Sequence, residues 1–321
     1  MDCTKLNDII KSSKNILIIS HVNPDGDTLG SMCGLYCAIL DNFKKKCDML
    51  AVSKVPSIYE FLPHINMVKN IDDIDKSREY DLVINVDVAS SDRICDAKVL
   101  FEKGKYTVNI DHHKTNNGYA NLNIINADAS STGEVLFECF EKMNWKINFD
   151  TAICLYTAIL TDTGSFRFDN TKPATFECAS KLVEIGINHS DIYKKVYESD
   201  SKTLVMFQAH CISKAKFMFD DKLAYTVVYR KDMEKFGAND ECMEGLTEKL
   251  RAIVTTKIAF VAKEMKSGGT KFSMRSKFTD VAQICEVFGG GGHKFASGCT
   301  IKAPVDEAVK KMLDEIKQRE I

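Results

Sequence analysis

Short apolar runs alternate with helical patterns along the first half of the chain. Apolar residues recur at helical spacing in 28–40, 131–142, 151–160 and 174–186. Compact runs rich in Ile and Val, which are typical of buried strands, occupy residues 16–20, 81–88 and 106–110. Strands that alternate with helices predict parallel pairing, so this pattern favours an α/β fold with a mostly parallel sheet flanked by helices.

The chain changes character near residue 188. Residues 188–201 are polar and charged and contain short helical stretches, which is typical of a connection between domains. We therefore predict a first domain of residues 1–187, a helical connector of residues 188–205 and a second domain of residues 206–321.

The second domain has a strand-rich pattern of its own. Strand patterns cover residues 223–230, 257–264 and 270–276, and helical patterns follow near 280–288 and 305–319. A turn at Ser267-Gly268-Gly269 joins two neighbouring strands and predicts antiparallel pairing between them. The sequence thus indicates a second, smaller α/β domain.

Composition narrows the class of protein. A length of 321 residues fits two domains at about 150 residues each. The net charge of −2 provides no basic field for nucleic acid, so a polyanionic ligand has to be bound locally. The 12 cysteines form no CxxC pair, and we expect reduced thiols that lie mostly in the core.

The chain has no apolar run near the ~18–20 residues that span a bilayer. Its first residues, MDCTKLNDIIKSSKN, are polar and contain no apolar signal segment. We therefore expect a cytoplasmic protein with no membrane partner.

Histidine and aspartate cluster where predicted strands end. HVNPDGD follows the first strand, NVDVASSDR and NIDHHKTN each follow a later one, and TDTGSF follows a helix. Because parallel strands open at one edge of a sheet, these loops should meet there. The candidate residues are His21, Asp25, Asp27, Asp87, Asp111, His112, His113 and Asp162.

So many carboxylates in one cleft would repel one another unless cations lie between them. Asp and His ligands without thiolate favour Mn²⁺, with Mg²⁺ or Co²⁺ as substitutes and Zn²⁺ less suited. The ligand number exceeds the needs of one ion and predicts two, bridged by one Asp. Taken singly, each motif also fits a plain turn, a loop cap or a surface His pair.

Two features of the second domain suggest an anion site. Gly289, Gly290, Gly291 and Gly292 precede His293, and consecutive glycines let backbone N–H groups converge on a phosphate. Arg275 ends a predicted strand beside Ser276, and its fork suits a phosphate or a base edge. A flexible linker or a tight turn is the alternative for the glycine run, and an ordinary surface arginine is the alternative for Arg275.

The start of the predicted helix at 131–142 carries its own signal. Ser131 and Glu134 fit a capping box. Capping is the expected role of Ser130, Ser131 and Thr132, and support of the metal site is the alternative.

These motifs together resemble the DHH/DHHA1 phosphoesterase family. HVNPDGD, the Asp of NVDVASSDR, the DHH triplet and the Asp of TDTGSF match its four N-terminal motifs in order, and FGGGGHKFASG matches the phosphate-binding loop of its DHHA1 domain. The resemblance spans residues 21–299. It implies an N-terminal DHH domain and a C-terminal DHHA1 domain, with the active site in the cleft between them.

The resemblance also implies roles for single residues. His21 and Asp25 would bind one metal, Asp27, His112 and Asp162 the other, and Asp87 would bridge both. Asp111 would orient His112 or another ligand, and His113 would face the scissile phosphate. Nucleotide binding would fall to Arg275, Ser276, Gly289, Gly290, Gly291, Gly292 and His293.

Within the family, the short two-domain build is similar to the nanoRNase/pAp phosphatase subgroup. That similarity implies hydrolysis of very short single-stranded RNA and of 3′-phosphoadenosine 5′-phosphate (pAp) with two Mn²⁺ ions. The alternative enzyme is a phosphodiesterase for cyclic or linear dinucleotides such as c-di-AMP, pApA or pGpG. A nucleotide sensor without turnover and an RNA-binding module are the non-catalytic alternatives. Family members are often homodimers, although this sequence does not determine the oligomeric state.

Overall fold

Two separate six-stranded sheets organise the chain. In the computed structural model, which describes residues 1–319, the chain divides into one unit of Met1–Ser199 and a second unit that begins at Asp200. The predicted connector, residues 188–205, contains a helix at His189–Tyr197 and the start of the next helix, and the boundary between the units falls inside it.

Twelve strands and twelve α-helices are formed by the described residues. The strands are β1 (Ile16–Ile19), β2 (Asp48–Ala51), β3 (Val68–Asn70), β4 (Leu82–Val86), β5 (Tyr106–Asp111), β6 (Leu122–Ile125), β7 (Lys216–Met218), β8 (Leu223–Val228), β9 (Ile258–Glu264), β10 (Thr270–Ser276), β11 (Gly291–His293) and β12 (Ala296–Ile301). The helices are α1 (Cys3–Ser12), α2 (Gly26–Phe43), α3 (Lys98–Lys103), α4 (Thr132–Lys142), α5 (Phe149–Asp162), α6 (Pro173–Glu184), α7 (His189–Tyr197), α8 (Lys202–Ser213), α9 (Arg230–Phe236), α10 (Leu246–Arg251), α11 (Val281–Glu286) and α12 (Val305–Lys317).

The sheet of the first unit is entirely parallel. Its strand order is β3-β2-β1-β4-β5-β6, so the order reverses between β1 and β4. Residues of β1 alternate between two cores, because Ile16 and Ile18 face one hydrophobic cluster and Leu17 and Ile19 face the other. Burial on both faces explains why these strands are continuous apolar runs. Loops after β1, β4 and β5 therefore leave the sheet at one edge, beside the reversal point.

Helices α2 and α5 pack unusually closely in the first unit. A Cβ at Gly30 would lie 2.6 Å from the Cys154 carbonyl oxygen, and a Cβ at Gly26 would overlap Thr161. The absence of side chains at these positions lets the helix backbones approach. The start of α2 thereby comes to lie beside the end of α5, where Asp162 is located.

The sheet of the second unit is mixed. Its order is β11-β12-β10-β9-β8-β7, with β8 and β9 parallel and the other neighbours antiparallel. Residues of β9 alternate between two cores, since Phe260 packs in a cluster with α11 and α12 and Val261 packs in one with α8 and α10. The predicted turn at 267–269 joins β9 to β10, and their antiparallel pairing is confirmed.

The α/β class predicted from the sequence is confirmed, with helices around a parallel sheet in the first unit and a smaller second unit. The strand runs at 16–20, 81–88 and 106–110 correspond to β1, β4 and β5. Eleven of the 12 cysteines are buried and Cys95 is exposed, as expected of core thiols. No helix among residues 1–319 combines the length and apolar character needed to cross a membrane.

Candidate active site

Five elements of the first unit bring the predicted Asp and His residues together. His21 follows β1, Asp87 follows β4, and His112 and His113 follow β5. Asp25 is the N-cap of α2, with Asp27 in its first turn, and Asp162 is the last residue of α5. The predicted convergence of the four motifs at one sheet edge is therefore observed.

The first ligand group consists of His21, Asp25 and Asp87. The His21 Nε2 atom lies 3.3 Å from Asp87 Oδ2 and 3.9 Å from Asp25 Oδ1. On the other side of the ring, His21 Nδ1 lies 2.8 Å from the Val22 carbonyl oxygen. A carbonyl only accepts hydrogen bonds, so Nδ1 carries a hydrogen, and Nε2 is the ring nitrogen that could bind a metal once it is unprotonated.

The second ligand group consists of Asp27, His112 and Asp162. His112 Nε2 lies 3.6 Å from Asp162 Oδ2 and 3.7 Å from Asp27 Oδ2. Asp27 is buried, and its carboxylate accepts hydrogen bonds from the backbone N–H groups of Thr132 (2.8 Å) and Gly133 (3.0 Å). The positive end of α4 thus fixes this carboxylate in place.

Asp87 faces both groups. Its Oδ2 points to His21, and its Oδ1 lies 3.7 Å from His112 Nε2. Hydroxyl groups hold each oxygen, because Thr28 Oγ1 donates to Oδ2 (2.6 Å) and Thr132 Oγ1 donates to Oδ1 (3.1 Å). The residue adopts a positive φ of 60°, a conformation in which Asp is more tolerated than most residues. This buried carboxylate lies between the two groups and could contact a cation held by either one.

The donor set fits divalent metal ions. Within each group the ligand atoms lie within 4.8 Å of one another, and they are carboxylate oxygens and imidazole nitrogens. Burial, together with the Asp87 and Asp162 charges, raises the pKa of Asp27 well above its ordinary value. Burial also raises the pKa of Asp162 to about 6. The carboxylates would be relieved of this repulsion by a bound cation, so both groups could hold a metal.

Asp87 and His21 show the opposite effect. Burial opposes ionisation of Asp87, but the hydrogen bond and charge of His21 outweigh it, so the pKa of Asp87 lies below its ordinary value. Burial likewise opposes protonation of His21, and its contact with Asp87 raises the pKa nonetheless. The direction of the Asp87 pKa shift is thus opposite to that of Asp27 and Asp162.

The Asp111 side chain contacts the ring of His113, whereas the resemblance implies that it orients His112 or another ligand. Its Oδ1 lies 2.7 Å from His113 Nδ1, and this hydrogen bond raises the pKa of His113 to about 9. The contact of Asp111 with His112 is made by the His112 backbone N–H, at 2.8 Å. Asn116 Nδ2 donates to the other Asp111 oxygen at 2.5 Å. The two rings thus face different partners, because His112 Nε2 lies 3.6 Å from Asp162 Oδ2 and His113 Nδ1 lies 3.6 Å from Asp87 Oδ1.

Several neutral residues of the site were not found from the sequence. They hold the carboxylates: Thr28 contacts Asp87, Asn116 contacts Asp111, and Asn170 donates to Asp162 Oδ2 at 3.4 Å. Thr132, for which support of the site is the alternative to capping, also contacts Asp87. The predicted cap is present, since Ser131 Oγ accepts from the Glu134 N–H at 3.1 Å. The Glu134 carboxylate, however, accepts from the Ser130 N–H, one residue before the box pattern requires.

The predicted nucleotide-binding residues lie in the second unit. Arg275 Nε donates to Glu248 Oε1 at 2.7 Å, and Arg275 Nη1 donates to the Met274 carbonyl at 2.9 Å. Ser276 is buried and donates to the Thr279 carbonyl.

The glycine run forms a β-hairpin at the edge of the sheet. Gly291, Gly292 and His293 constitute β11 and pair with β12, and all three are exposed. Gly289 and Gly292 have φ values of 72° and 147°, which side chains rarely adopt. A Cβ at Gly290 would overlap the Gly298 carbonyl oxygen. Glycine is therefore required by the backbone at three of the four consecutive positions.

Comparisons with known proteins identify the family of the chain. Residues 15–159 match the model of the DHH family, N-terminal domain, and residues 220–320 match the model of the DHHA1 domain. A curated relative from Streptococcus mutans is 30% identical over 292 residues, which cover 90% of each chain. The chain therefore belongs to the DHH/DHHA1 family of phosphoesterases.

The similar proteins carry more specific names. The Streptococcus mutans relative is named a probable bifunctional oligoribonuclease and PAP phosphatase NrnA. A relative from Bacillus subtilis, named bifunctional oligoribonuclease and PAP phosphatase NrnA, is 29% identical, with coverage of 97% of this chain and 96% of its own. The crystal structure of an exopolyphosphatase-related protein from Bacteroides fragilis superposes with a TM-score of 0.91 at 25% identity, covering 98% of this chain and 95% of that one.

Proposed function

We propose that this chain uses two divalent metal ions, preferably Mn²⁺, to hydrolyse very short oligoribonucleotides to mononucleotides and pAp to AMP. The observation that carries the proposal is the position of Asp87, whose two oxygens face the two ligand groups at 3.3 Å and 3.7 Å. A shared carboxylate between two Asp/His groups is the arrangement that two-metal hydrolysis of phosphoesters requires. The names of the relatives from Streptococcus mutans and Bacillus subtilis support this choice of substrates.

Each ligand group has the composition of one metal site. His21 and Asp25 would hold one ion, Asp27, His112 and Asp162 the other, and Asp87 both. Bound divalent ions would supply Lewis acidity at the phosphoryl oxygens and lower the pKa of a water molecule. Carboxylate and imidazole ligands without thiolate are well suited to Mn²⁺, with Mg²⁺ or Co²⁺ as substitutes.

His113 would act directly on the phosphoryl group. Its Nδ1 is engaged by Asp111, so Nε2 is the nitrogen available to a substrate. A protonated imidazole held in this way donates a hydrogen bond to a phosphoryl oxygen and stabilises the charge that develops there. Asp111 would thus be a positioning residue, with Asn116 fixing its carboxylate.

The second unit would bind the remainder of the nucleotide. In this proposal the Arg275 nitrogens that do not contact Glu248 or Met274, the buried Ser276 and the exposed glycine hairpin at residues 289–293 contact phosphate and ribose. Few charged groups are needed for so short a substrate, which agrees with a net charge of −2.

The test is product analysis with the purified full chain. A 5′-labelled RNA trimer, pAp, c-di-AMP and pApA are each incubated with Mn²⁺ and with EDTA, and products are separated by chromatography. We expect mononucleotides from the trimer and AMP from pAp with Mn²⁺, and neither with EDTA. Cleavage of c-di-AMP or pApA alone would agree with two-metal hydrolysis and contradict the assignment of short RNA and pAp as substrates. Activity that persists in EDTA would contradict the two-metal proposal.

A further inference from the structure

An arginine lies beside the first ligand group and forms no ion pair with any carboxylate of the described residues. Arg93 follows β4 in a short 3₁₀ segment, Ser91–Ala97. Its backbone is fixed on both sides, because its N–H donates to the Ser90 carbonyl (3.0 Å) and its carbonyl accepts from the Val22 N–H (2.8 Å). The loop after β4 is thus attached to the loop that carries His21, without any contribution from the Arg93 side chain.

Among the described residues, the Arg93 guanidinium has one side-chain contact, which is with His21. Arg93 Nη2 lies 3.3 Å from His21 Nδ1, but that nitrogen carries the hydrogen that it donates to the Val22 carbonyl, so it cannot accept another. The Arg93 Nε atom is buried and has no hydrogen-bond partner. Among the residues the structure describes, no Asp or Glu forms an ion pair with Arg93.

A charged group in this position calls for an anionic ligand. An arginine remains charged at any physiological pH, and a half-buried charge without a counter-ion is costly. The carboxylates of the first group form no ion pair with Arg93, because Asp25 and Asp87 contact the other ring nitrogen of His21, Nε2. Planar guanidinium groups bind phosphate through charge-assisted hydrogen bonds.

We infer that Arg93 binds a phosphate of the substrate at the edge of the metal centre. The inference rests on the proposed function, which places a phosphoester at His21 and Asp87. Two phosphates could occupy the position, namely the scissile one or a second phosphate such as the 5′-phosphate of pAp. Their chemistry is shared, and the substrates used in the test distinguish them.

The test compares Arg93→Met and Arg93→Lys with the unaltered chain. Arg78→Met is the matched control, since Arg78 lies in the same unit and pairs with Asp48 at 2.7 Å, away from the ligand groups. Calorimetry measures the affinity of each protein for Mn²⁺ and, in saturating Mn²⁺, for inorganic phosphate. Steady-state kinetics are measured with pAp and with ApA, which has a single phosphate. Circular dichroism and thermal melting check that each variant is folded.

We expect Arg93→Met to weaken phosphate binding and to lower kcat/KM for pAp by about 10- to 100-fold, the effect of losing a charge-assisted hydrogen bond. Mn²⁺ affinity should stay within about twofold, Arg93→Lys should recover part of the loss, and Arg78→Met should change neither. An equal loss with ApA assigns Arg93 to the scissile phosphate, and a smaller loss with ApA assigns it to the second phosphate.

Two results would overturn the inference. One is a fall in Mn²⁺ affinity with unchanged phosphate binding at saturating Mn²⁺, which would make Arg93 a support for His21. The other is unchanged phosphate binding and unchanged kinetics. The phosphate measurement does not depend on turnover, so it still decides the role of Arg93 if the chain hydrolyses neither pAp nor ApA and the proposed function fails.

Discussion

Asp87 connects the two ligand groups, because each of its carboxylate oxygens faces a different histidine. Replacing it with Asn keeps the size of the side chain and removes the charge that both cations would share. We expect Asp87→Asn to lower Mn²⁺-dependent hydrolysis of pAp by about 1,000-fold or more, which reflects the loss of a bridging ligand. Phosphate or AMP release measures the rate, and calorimetry measures how many Mn²⁺ ions bind.

A nearby aspartate provides the control. Asp92 lies five residues further along, is exposed and pairs with Lys98 at 3.1 Å. We expect Asp92→Asn to hydrolyse pAp at the rate of the unaltered chain. Full Mn²⁺ stoichiometry and near-normal turnover in Asp87→Asn would show that the carboxylate is not a bridge.

Asp162 should destabilise the protein when no metal is bound. Burial raises its pKa to about 6, so an ionised Asp162 is disfavoured in the folded state. Because the pKa of Asp162 is higher in the folded than in the unfolded chain, the carboxyl favours folding below its unfolded pKa of about 4. This contribution to stability is lost as the pH rises through 6. In EDTA at pH 7.5 we therefore expect Asp162→Asn to be more stable than the unaltered chain by about 2 kcal/mol. Urea unfolding between pH 4 and 8 measures the difference.

The pH dependence and the metal dependence check this explanation. The stability difference should shrink as pH falls from 6 toward 4, because the unaltered carboxyl becomes protonated. Saturating Mn²⁺ at pH 7.5 should reverse the order, since it binds the carboxylate and not the amide. A difference that is the same at pH 4 and pH 8 would mean that repulsion and burial of Asp162 are not its cause.

At the residue scale, the sequence predicts the groups with distinctive chemistry and misses those without it. Asp27 and His112 could be identified because an aspartate or a histidine soon after a buried strand indicates a functional role. Thr28 and Asn116 hold the same site, but Thr and Asn are common everywhere and their partners are distant in sequence. The pairing of Arg275 with Glu248 is also invisible, since 27 residues separate them and only the fold brings them together.

Among the elements, α2 and α5 determine how closely the ligands from the two helices approach. Gly30 faces the α5 backbone, where an added Cβ would lie 2.6 Å from the Cys154 carbonyl oxygen and 2.9 Å from the Ala158 nitrogen. We expect Gly30→Ala to destabilise the protein by about 1–3 kcal/mol, because backbone atoms cannot move aside as a side chain can. It should also weaken Mn²⁺ binding, since Asp27 and Asp162 would be moved apart. Urea unfolding and calorimetry measure the two effects.

Gly34 is the matched control on the same helix. Its added Cβ would meet the Leu155 Cδ2 atom at 2.9 Å, which is the end of a flexible side chain. We expect Gly34→Ala to change the free energy of unfolding by less than about 1 kcal/mol. The preference of alanine over glycine in a helix is about that large, and it offsets the cost of moving the Leu155 side chain. An equal loss of stability in Gly30→Ala and Gly34→Ala would show that the close packing of α2 on α5 does not depend on Gly30.

At the element scale, prediction from the sequence succeeded for long apolar runs such as β4 and β5 and missed the short strand β2, although β2 is also buried on both faces. β4 and β5 are central strands, and their runs of apolar residues have no other explanation. β3, with the sequence VKN, and β7, with KFM, lie at sheet edges, where partial exposure removes the apolar signal. β11 was missed because glycine has no preference for strands, and the hairpin depends on pairing with β12.

At the scale of the whole molecule, all the residues proposed to bind metal belong to one of the two units. The first unit has hydrophobic clusters around β1 and the second has clusters around β9, so each unit has its own core. Metal binding should therefore stabilise the first unit selectively, since ligands stabilise only the state that binds them. Calorimetric melting of the full chain should show an Mn²⁺-dependent transition and a transition that Mn²⁺ leaves in place.

The stabilisation of the first unit depends on the concentration of free Mn²⁺. Free Mn²⁺ at about 100 times its dissociation constant adds about 2.7 kcal/mol to the stability of the binding state. For a unit of this size the melting temperature should rise by about 5–10 °C. Asp87→Asn should lose most of that rise and keep the Mn²⁺-independent transition, whereas Asp92→Asn should behave as the unaltered chain does. If Mn²⁺ raised both transitions equally in Asp87→Asn, the cation would be acting through sites outside the two ligand groups.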